Sequence, residues 1–210
     1  ANKEIERRLK VLNHLLELIA KANTLYSDKK SSLTAQVQAE ITALNALKAK
    51  INADTDLTTL RADVASIKKS YRIFALFVPK IHILIKADRT LDLADKSSSL
   101  AAKLEQRINA LPQGSSNSVE LQTLLATMKK QIEDAKSQAN LAVTTVASLT
   151  PEGYPANKTS LMAARKLLRD AHRNLMLAHK TGKKIIKLLR ENTVSGTPAA
   201  TSTAAPATAQ

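Results

Sequence analysis

Residues 70 to 89, which decide the fold, read SYRIFALFVPKIHILIKADR. This stretch contains both phenylalanines of the 210-residue chain and one of its three tyrosines. Pro79 lies near its centre, where a proline removes a backbone amide donor and clashes with the carbonyl group four residues earlier. We therefore predict a kink or a stop at Pro79, joining two helical halves of the protein.

The large apolar side chains of this stretch lie on every side of the predicted helix rather than along one stripe. Such a segment is either surrounded by other helices or forms an interface. We favour burial in the protein's own core, with a self-association or partner surface as the alternative. The candidate interface residues are Tyr71, Phe74, Phe77, Ile81, Ile83 and Ile85.

The composition of the chain indicates an all-α protein. Hydrophobic residues make up 44% of the sequence, aromatic residues only 2%, and there are 4 glycines. These values disfavour a β-sandwich, a Rossmann fold and an active site built from loops, and they are typical of helical bundles. The sequence contains no cysteine, which excludes disulfides and cysteinyl metal sites. No apolar run is long enough to span a bilayer.

Apolar residues recur at alternating steps of three and four, the pattern of helices with coiled-coil-like packing. We predict an elongated antiparallel bundle, or two bundles, with about six helices. The predicted helices span residues 2–26, 31–53, 57–78, 81–111, 117–149 and 159–191. A first three-helix unit would cover residues 1–79 and a second residues 80–192. Residues 27–30 are expected to form a turn.

Small residues recur in the apolar stripes of the last two predicted helices. The stripe of the fifth is Leu121, Leu125, Met128, Ile132, Ala135, Ala139, Ala142, Val146 and Leu149. The stripe of the sixth is Leu161, Ala164, Leu168, Ala171, Leu175, Ala178, Gly182, Ile185 and Leu189. If these helices fold back about the loop at 151–155, Ala135 lies opposite Ala171, and Ala142 lies opposite Ala164 or Arg165. Small residues on both stripes would let the two backbones approach closely.

The sixth predicted helix carries most of the net positive charge. The net charge is +14 and the pI is near 10.0, which favours polyanionic partners such as nucleic acid, an acidic cell-wall polymer or anionic lipid. Between Lys158 and Arg190 ten cations face one acid. A solvated face that only keeps the protein soluble is the alternative. The candidate polyanion-binding residues are Arg165, Lys166, Arg169, Arg173, Lys180, Lys183, Lys184 and Lys187.

No arrangement of residues in the sequence indicates catalysis. Nucleophile-elbow, phosphate-loop, zinc and dinucleotide motifs are all missing. His172 and His179 are seven residues apart, but a metal site would need further ligands that the sequence does not place beside them. Asp54 and Asp56 are explained as helix caps, and Asp88 with Arg89 as a buried ion pair. We therefore predict no enzyme activity, no cofactor and no metal.

Both ends of the chain suggest export. Residues 193–210 have no charge and no periodicity, and their Thr, Pro and Ala content is typical of a disordered spacer. Ala1 is the kind of small residue left after signal-peptide cleavage. An extracellular or cell-surface location is the expectation that follows.

Four short segments carry a resemblance to a known family. They are NADTDLTTL at 52–60, SYRIF at 70–74, PKIHI at 79–83 and ADR at 87–89. Together they resemble a family of uncharacterised helical proteins from uncultivated small-genome bacteria, over about residues 1 to 192. The resemblance implies export and brings no activity with it.

Three functions fit these observations. The first is a non-enzymatic exported or cell-surface structural or interaction protein that presents a basic face to an anionic surface or polymer. The second is a basic nucleic-acid-binding protein that acts through its last helix. The third is a self-assembling surface-layer or filament subunit that associates through the apolar cluster at 71–85.

Overall fold

The computed structural model describes residues 1–22, 27–112, 117–149, 153 and 155–195, without the side chains of 27–29, 68–73 and 193–195. These ranges form α-helices and contain no β-strand, which confirms the all-α class. The helices are α1 (Asn2–Ala20), α2 (Ser27–Ala53), α3 (Leu57–Asn109), α4 (Ser118–Ala147) and α5 (Asn157–Ser195).

The third and fourth predicted helices are one helix, α3. It has 53 residues and passes through Pro79, so the chain does not stop there. At a rise of about 1.5 Å per residue it is roughly 80 Å long, which makes the bundle elongated. Pro79 has no amide to donate to the carbonyl of Ala75. Burial of Leu76 and Ile81 on either side of the proline holds the helix together at this point.

The predicted turn at 27–30 is wrong, because α2 begins at Ser27 and α1 ends at Ala20. The Lys30 Nζ donates a hydrogen bond of 2.6 Å to the carbonyl oxygen of Ala20. A lysine at this position satisfies a free carbonyl at the end of α1 and complements the negative end of the helix dipole. Lys30, one of the residues expected in the turn, therefore helps to end α1.

The predicted C-terminal tail begins too early. Helix α5 continues to Ser195, so residues 193–195 are helical. The remainder of that prediction, residues 196–210, lies outside the described residues.

Three hydrophobic cores hold the helices together. The first joins α1, α2 and the part of α3 up to Ile85. The second joins the C-terminal half of α3 to α4 and α5. The third joins the middle of α3, from Leu76 to Ala87, to the other ends of α4 and α5. Because the first and third cores overlap along α3, residues 76 to 85 face both groups of helices. The division into units at residue 79 stays a prediction.

The predicted apolar stripes of α4 and α5 are confirmed. Every stripe residue from Leu121 to Val146 on α4 and from Leu161 to Leu189 on α5 is buried. Leu149, the last predicted stripe position of α4, lies beyond the end of the helix and is half-buried. The two helices are antiparallel, since Gln138 bonds Asn174 and Gln131 bonds Thr181. They make the most extensive contact in the described part of the chain.

The apolar stripe predicted for α3 is only partly correct. The predicted stripe starts at Leu57 and continues through Leu60, Val64, Ile67, Tyr71, Phe74 and Val78. Leu57 is nevertheless 68% exposed. The predicted stripe does not include a series of small residues, spaced by seven, that are buried in the same helix. These are Ala87, Ala94 and Ala101, with Ile108 continuing the series. Small residues therefore line the contact surfaces of all three helices in the second half of the protein.

Lys80, next to the proline, ties α3 to the end of α4. Its Nζ donates to the carbonyl oxygens of Ala147 at 2.8 Å and Leu149 at 3.2 Å. Burial lowers the pKa of Lys80. The side chain thus acts as a C-terminal cap supplied by another helix.

Candidate polyanion-binding site

All eight cationic residues predicted to bind a polyanion are exposed on α5. We call this set the basic face; it comprises Arg165, Lys166, Arg169, Arg173, Lys180, Lys183, Lys184 and Lys187. Its position follows from the helix repeat, since burial of the apolar stripe turns the remaining positions of α5 to solvent. The basic face is therefore a property of the folded protein as well as of the sequence.

Acidic neighbours neutralise part of this face. Lys184 pairs with Glu120 of α4 at 2.7 Å, Arg173 lies 3.8 Å from Asp170, and Lys187 lies 3.9 Å from Glu191. The paired side chains are all partly or largely exposed, so solvent weakens these pairs. Within the described part of the chain, the other five members of the basic face make no ion pair.

The spacing of the cations makes a regular column. Lys166, Arg173, Lys180 and Lys187 are seven residues apart, or about 10 Å, and the column is about 32 Å long. The buried stripe on the opposite side packs the helix against α3 and α4. Such a column can follow a polymer or a surface with closely spaced negative charges. It offers no pattern that would read a base sequence.

Three large apolar side chains lie among these cations, and the sequence reading missed them. Met162, Met176 and Leu177 are 59%, 55% and 43% exposed. They belong to α5 but lie outside its buried stripe. Their position outside the three-four spacing of the stripe could have predicted their exposure from the sequence. The outer side of α5 is therefore basic and partly apolar.

The candidate interface at the middle of α3 is mostly internal. Ile81, Ile83 and Ile85 are at most 4% exposed, and Phe74 and Phe77 pack against the first core. The three isoleucines are therefore core residues, in agreement with the favoured interpretation. The alternative, that these three side chains form a partner surface, is wrong for this structure. The side chain of Tyr71 lies outside the described residues.

Arg8 is a buried cation that sequence reading did not single out. Its Nη1 donates a hydrogen bond of 2.6 Å to the backbone oxygen of Ile67. Its Nε lies 3.3 Å from a carboxylate oxygen of Glu4. The guanidinium carbon is 6.0 Å from the centre of the Phe74 ring. Only 5% of Arg8 is exposed, so the residue joins α1 to α3 and is not available to a ligand from solution.

The acidic residues between α2 and α3 have two different roles. Asp56 caps α3 by accepting from the Thr59 amide at 2.8 Å, and its pKa is lowered mainly by that hydrogen bond. Asp54 does not cap a helix, which corrects the expectation. Burial and the neighbouring Asp63 carboxylate raise the pKa of Asp54. The Lys50 Nζ lies 2.8 Å from an Asp63 carboxylate oxygen, so Asp63 has a cationic partner.

The structure also shows where the histidines and Arg89 lie. His172 and His179 are both exposed, and no group of three or more potential ligands that could hold a metal lies within the described ranges. Arg89 is exposed rather than buried, because adjacent residues of a helix point in different directions. His82 and His172, which the sequence could not bring together, line one groove between α1, α3 and α5.

No described helix combines the length and the apolar character needed to cross a membrane. Comparison with known proteins gives no relative, since no family model, no curated protein and no solved structure matches the chain. The resemblance to exported helical proteins stays a prediction.

Proposed function

We propose that the protein is a non-enzymatic, exported or cell-surface interaction protein that holds an anionic surface or polymer against the basic face of α5. One observation carries the proposal: all eight cations of this face are exposed on the side of the helix away from the cores. Five of them have no ion-pair partner among the described residues. An external polyanion would supply the missing negative charge.

Charge and shape support binding without sequence specificity. Each cation that replaces a counterion on a polyanion adds affinity, and that affinity falls steeply with salt. The rigid column lets many weak contacts form at once, because little conformational freedom of the backbone is lost on binding.

The exposed Met162, Met176 and Leu177 favour an anionic surface with some apolar character over nucleic acid. Nucleic acid remains the second candidate, because the column of cations could equally follow a phosphate backbone. Against it, α5 contains no aromatic residue on which a base could stack.

The test compares full-length protein with two triple variants over a series of salt concentrations. The first variant replaces three cations of the basic face that make no described ion pair, namely Lys166, Lys180 and Lys183, with Glu. The matched control replaces Lys3, Lys10 and Lys103, which are exposed on α1 and α3, and changes the net charge equally. Binding is measured to phosphatidylglycerol vesicles, to a teichoic-acid polymer and to duplex DNA.

We expect the α5 variant to lose binding to vesicles or polymer by about tenfold or more, and the control to keep most of it. Equal losses in the two variants would show that only the overall charge matters and would contradict a site on α5. Tighter binding to DNA than to either other partner, abolished by the α5 variant, would replace the proposal with the nucleic-acid alternative.

A further inference from the structure

A groove of about 570 Å³ lies where the C-terminal end of α1 meets α3 and α5. Its volume is in the range of roughly 300 to 1,000 Å³ that is common for small-molecule sites. On α3 it is lined from His82 to Leu93, a distance of about 16 Å along the helix. None of the lining residues belongs to the basic face, although Arg165 of that face lies near enough to His82 to act on its charge.

The floor of the groove is apolar. Ile85 and Leu175 are almost fully buried beneath it, and Leu18 is half-buried at the side. Leu93 is 43% exposed although it lines the same groove. A chain of methylene groups lying on Leu18 and Leu93 would remove their exposed apolar surface from water.

The rim of the groove is cationic. Lys86 and Arg89 are exposed, and neither makes an ion pair with a described residue. His82 and His172 complete the rim, and no described carboxylate lines the groove. The pKa of His82 is lowered, mainly by burial and further by His14 and Arg165, which agrees with a positive environment at this rim.

We propose that this groove binds a single-chain amphiphile with a carboxylate head, of the fatty-acid class. The carboxylate pairs with Arg89 and Lys86 at the rim, where a guanidinium can form two parallel hydrogen bonds to it. The alkyl chain lies on Leu18, Leu93 and Leu175. The combination of unpaired cations and an apolar floor in one groove is what selects an amphiphile over an inorganic anion or a neutral hydrocarbon.

The proposal is tested by titrating the full chain with dodecanoate labelled with ¹³C at the carboxyl carbon, below its aggregation concentration. Calorimetry and the NMR signal of the carboxyl group report binding. We expect saturable binding of one molecule per chain. Arg89→Glu and Lys86→Glu are each expected to weaken it by about tenfold or more. Lys103→Glu, a matched exposed change on the same helix, is expected to leave it unchanged.

Three further measurements separate the two halves of the ligand. Inorganic phosphate, which lacks the chain, and dodecanol, which lacks the charge, are both expected to bind far more weakly than dodecanoate. Leu93→Ser is expected to weaken dodecanoate while leaving the fold intact, because this leucine is exposed. The Lys166, Lys180 and Lys183 triple variant should keep dodecanoate binding, which distinguishes this groove from the basic face.

Several results would overturn the proposal. If phosphate bound with the same affinity as dodecanoate, the groove would be an anion site only. If dodecanol bound with the same affinity as dodecanoate, the cations of the rim would not contribute to binding. Absence of saturable binding to the full chain would mean that the groove takes no such ligand. If Leu93→Ser changed the mass of the particle in solution without changing dodecanoate binding, the leucine would serve contact between copies instead.

Discussion

The two halves of this bundle are built from side chains of different size. The core shared by α1, α2 and the first part of α3 consists mostly of Leu and Ile, and several further leucines and valines are only partly covered by it. The cores shared by α4, α5 and the rest of α3 are rich in alanine, and nearly all of their stripe residues are fully buried. Side-chain size, rather than the total number of apolar residues, distinguishes the halves.

The size of the side chains in an apolar stripe affects how closely the neighbouring helices can pack against it. Alanines on facing helices allow close backbone approach, so that each stripe position is covered by the neighbouring helices. Ala135 and Ala171 share one core, and Ala142 and Ala164 share another, as the folded-back arrangement predicts. Partly buried leucines flank the cores of both halves, so the halves differ in the alanines of their stripes.

The largest effect is expected from removing a large side chain in the first core. Leu12 is 1% exposed, and Leu12→Ala is expected to reduce the free energy of unfolding by about 2 to 5 kcal/mol, measured by urea denaturation. Leu57→Ala serves as the control, because this leucine is largely exposed, and a change within about 0.5 kcal/mol is expected. Similar losses in both variants would contradict the burial described for this half.

A smaller effect is expected from enlarging a side chain in the second half. Ala139 is fully buried between α4 and its neighbours, and Ala139→Leu is expected to cost about 1 to 3 kcal/mol through overpacking. Ala126→Leu on the exposed side of the same helix is the matched control, with little change expected. An unchanged melting temperature for Ala139→Leu would refute the close approach of these helices.

The smallest effect is expected at the acidic residues that close the first half. Folding raises the pKa of Asp54 above its ordinary value of 3.8, so the folded state binds this proton more tightly than the unfolded state. Its contribution to stability is therefore present at acidic pH and is lost as the pH rises through the raised pKa.

Asp54→Asn is accordingly expected to raise the melting temperature at neutral pH, and the gain should vanish as the pH falls below 3.8. Glu133→Gln, at an exposed position of α4, is the control and should leave the melting temperature unchanged at both pH values. A lower melting temperature for Asp54→Asn at neutral pH would mean that attraction to Lys50 outweighs burial and the repulsion from Asp63.

Much of the site could be predicted because it lies on one helix. On α5, the period of the apolar residues determines which side is buried, and therefore where the eight cations lie. Residues whose position depends on another helix could not be predicted in this way. Arg8 reaches the backbone of α3. At the start of α4, Asn117 makes no side-chain cap bond, and Glu120 pairs with Lys184 of α5.

The amino-acid sequence by itself determined the helical class, the stripes of α4 and α5 and the excess of positive charge, because each depends on local spacing and composition. Only the tertiary structure decided that the helix continues through Pro79, that Ala87, Ala94 and Ala101 are core residues, and that a groove with a cationic rim forms beside Leu93. The physical reason is that burial is a property of pairs of surfaces. One chain segment specifies its own periodicity, but the segment packed against it decides which of its faces is covered.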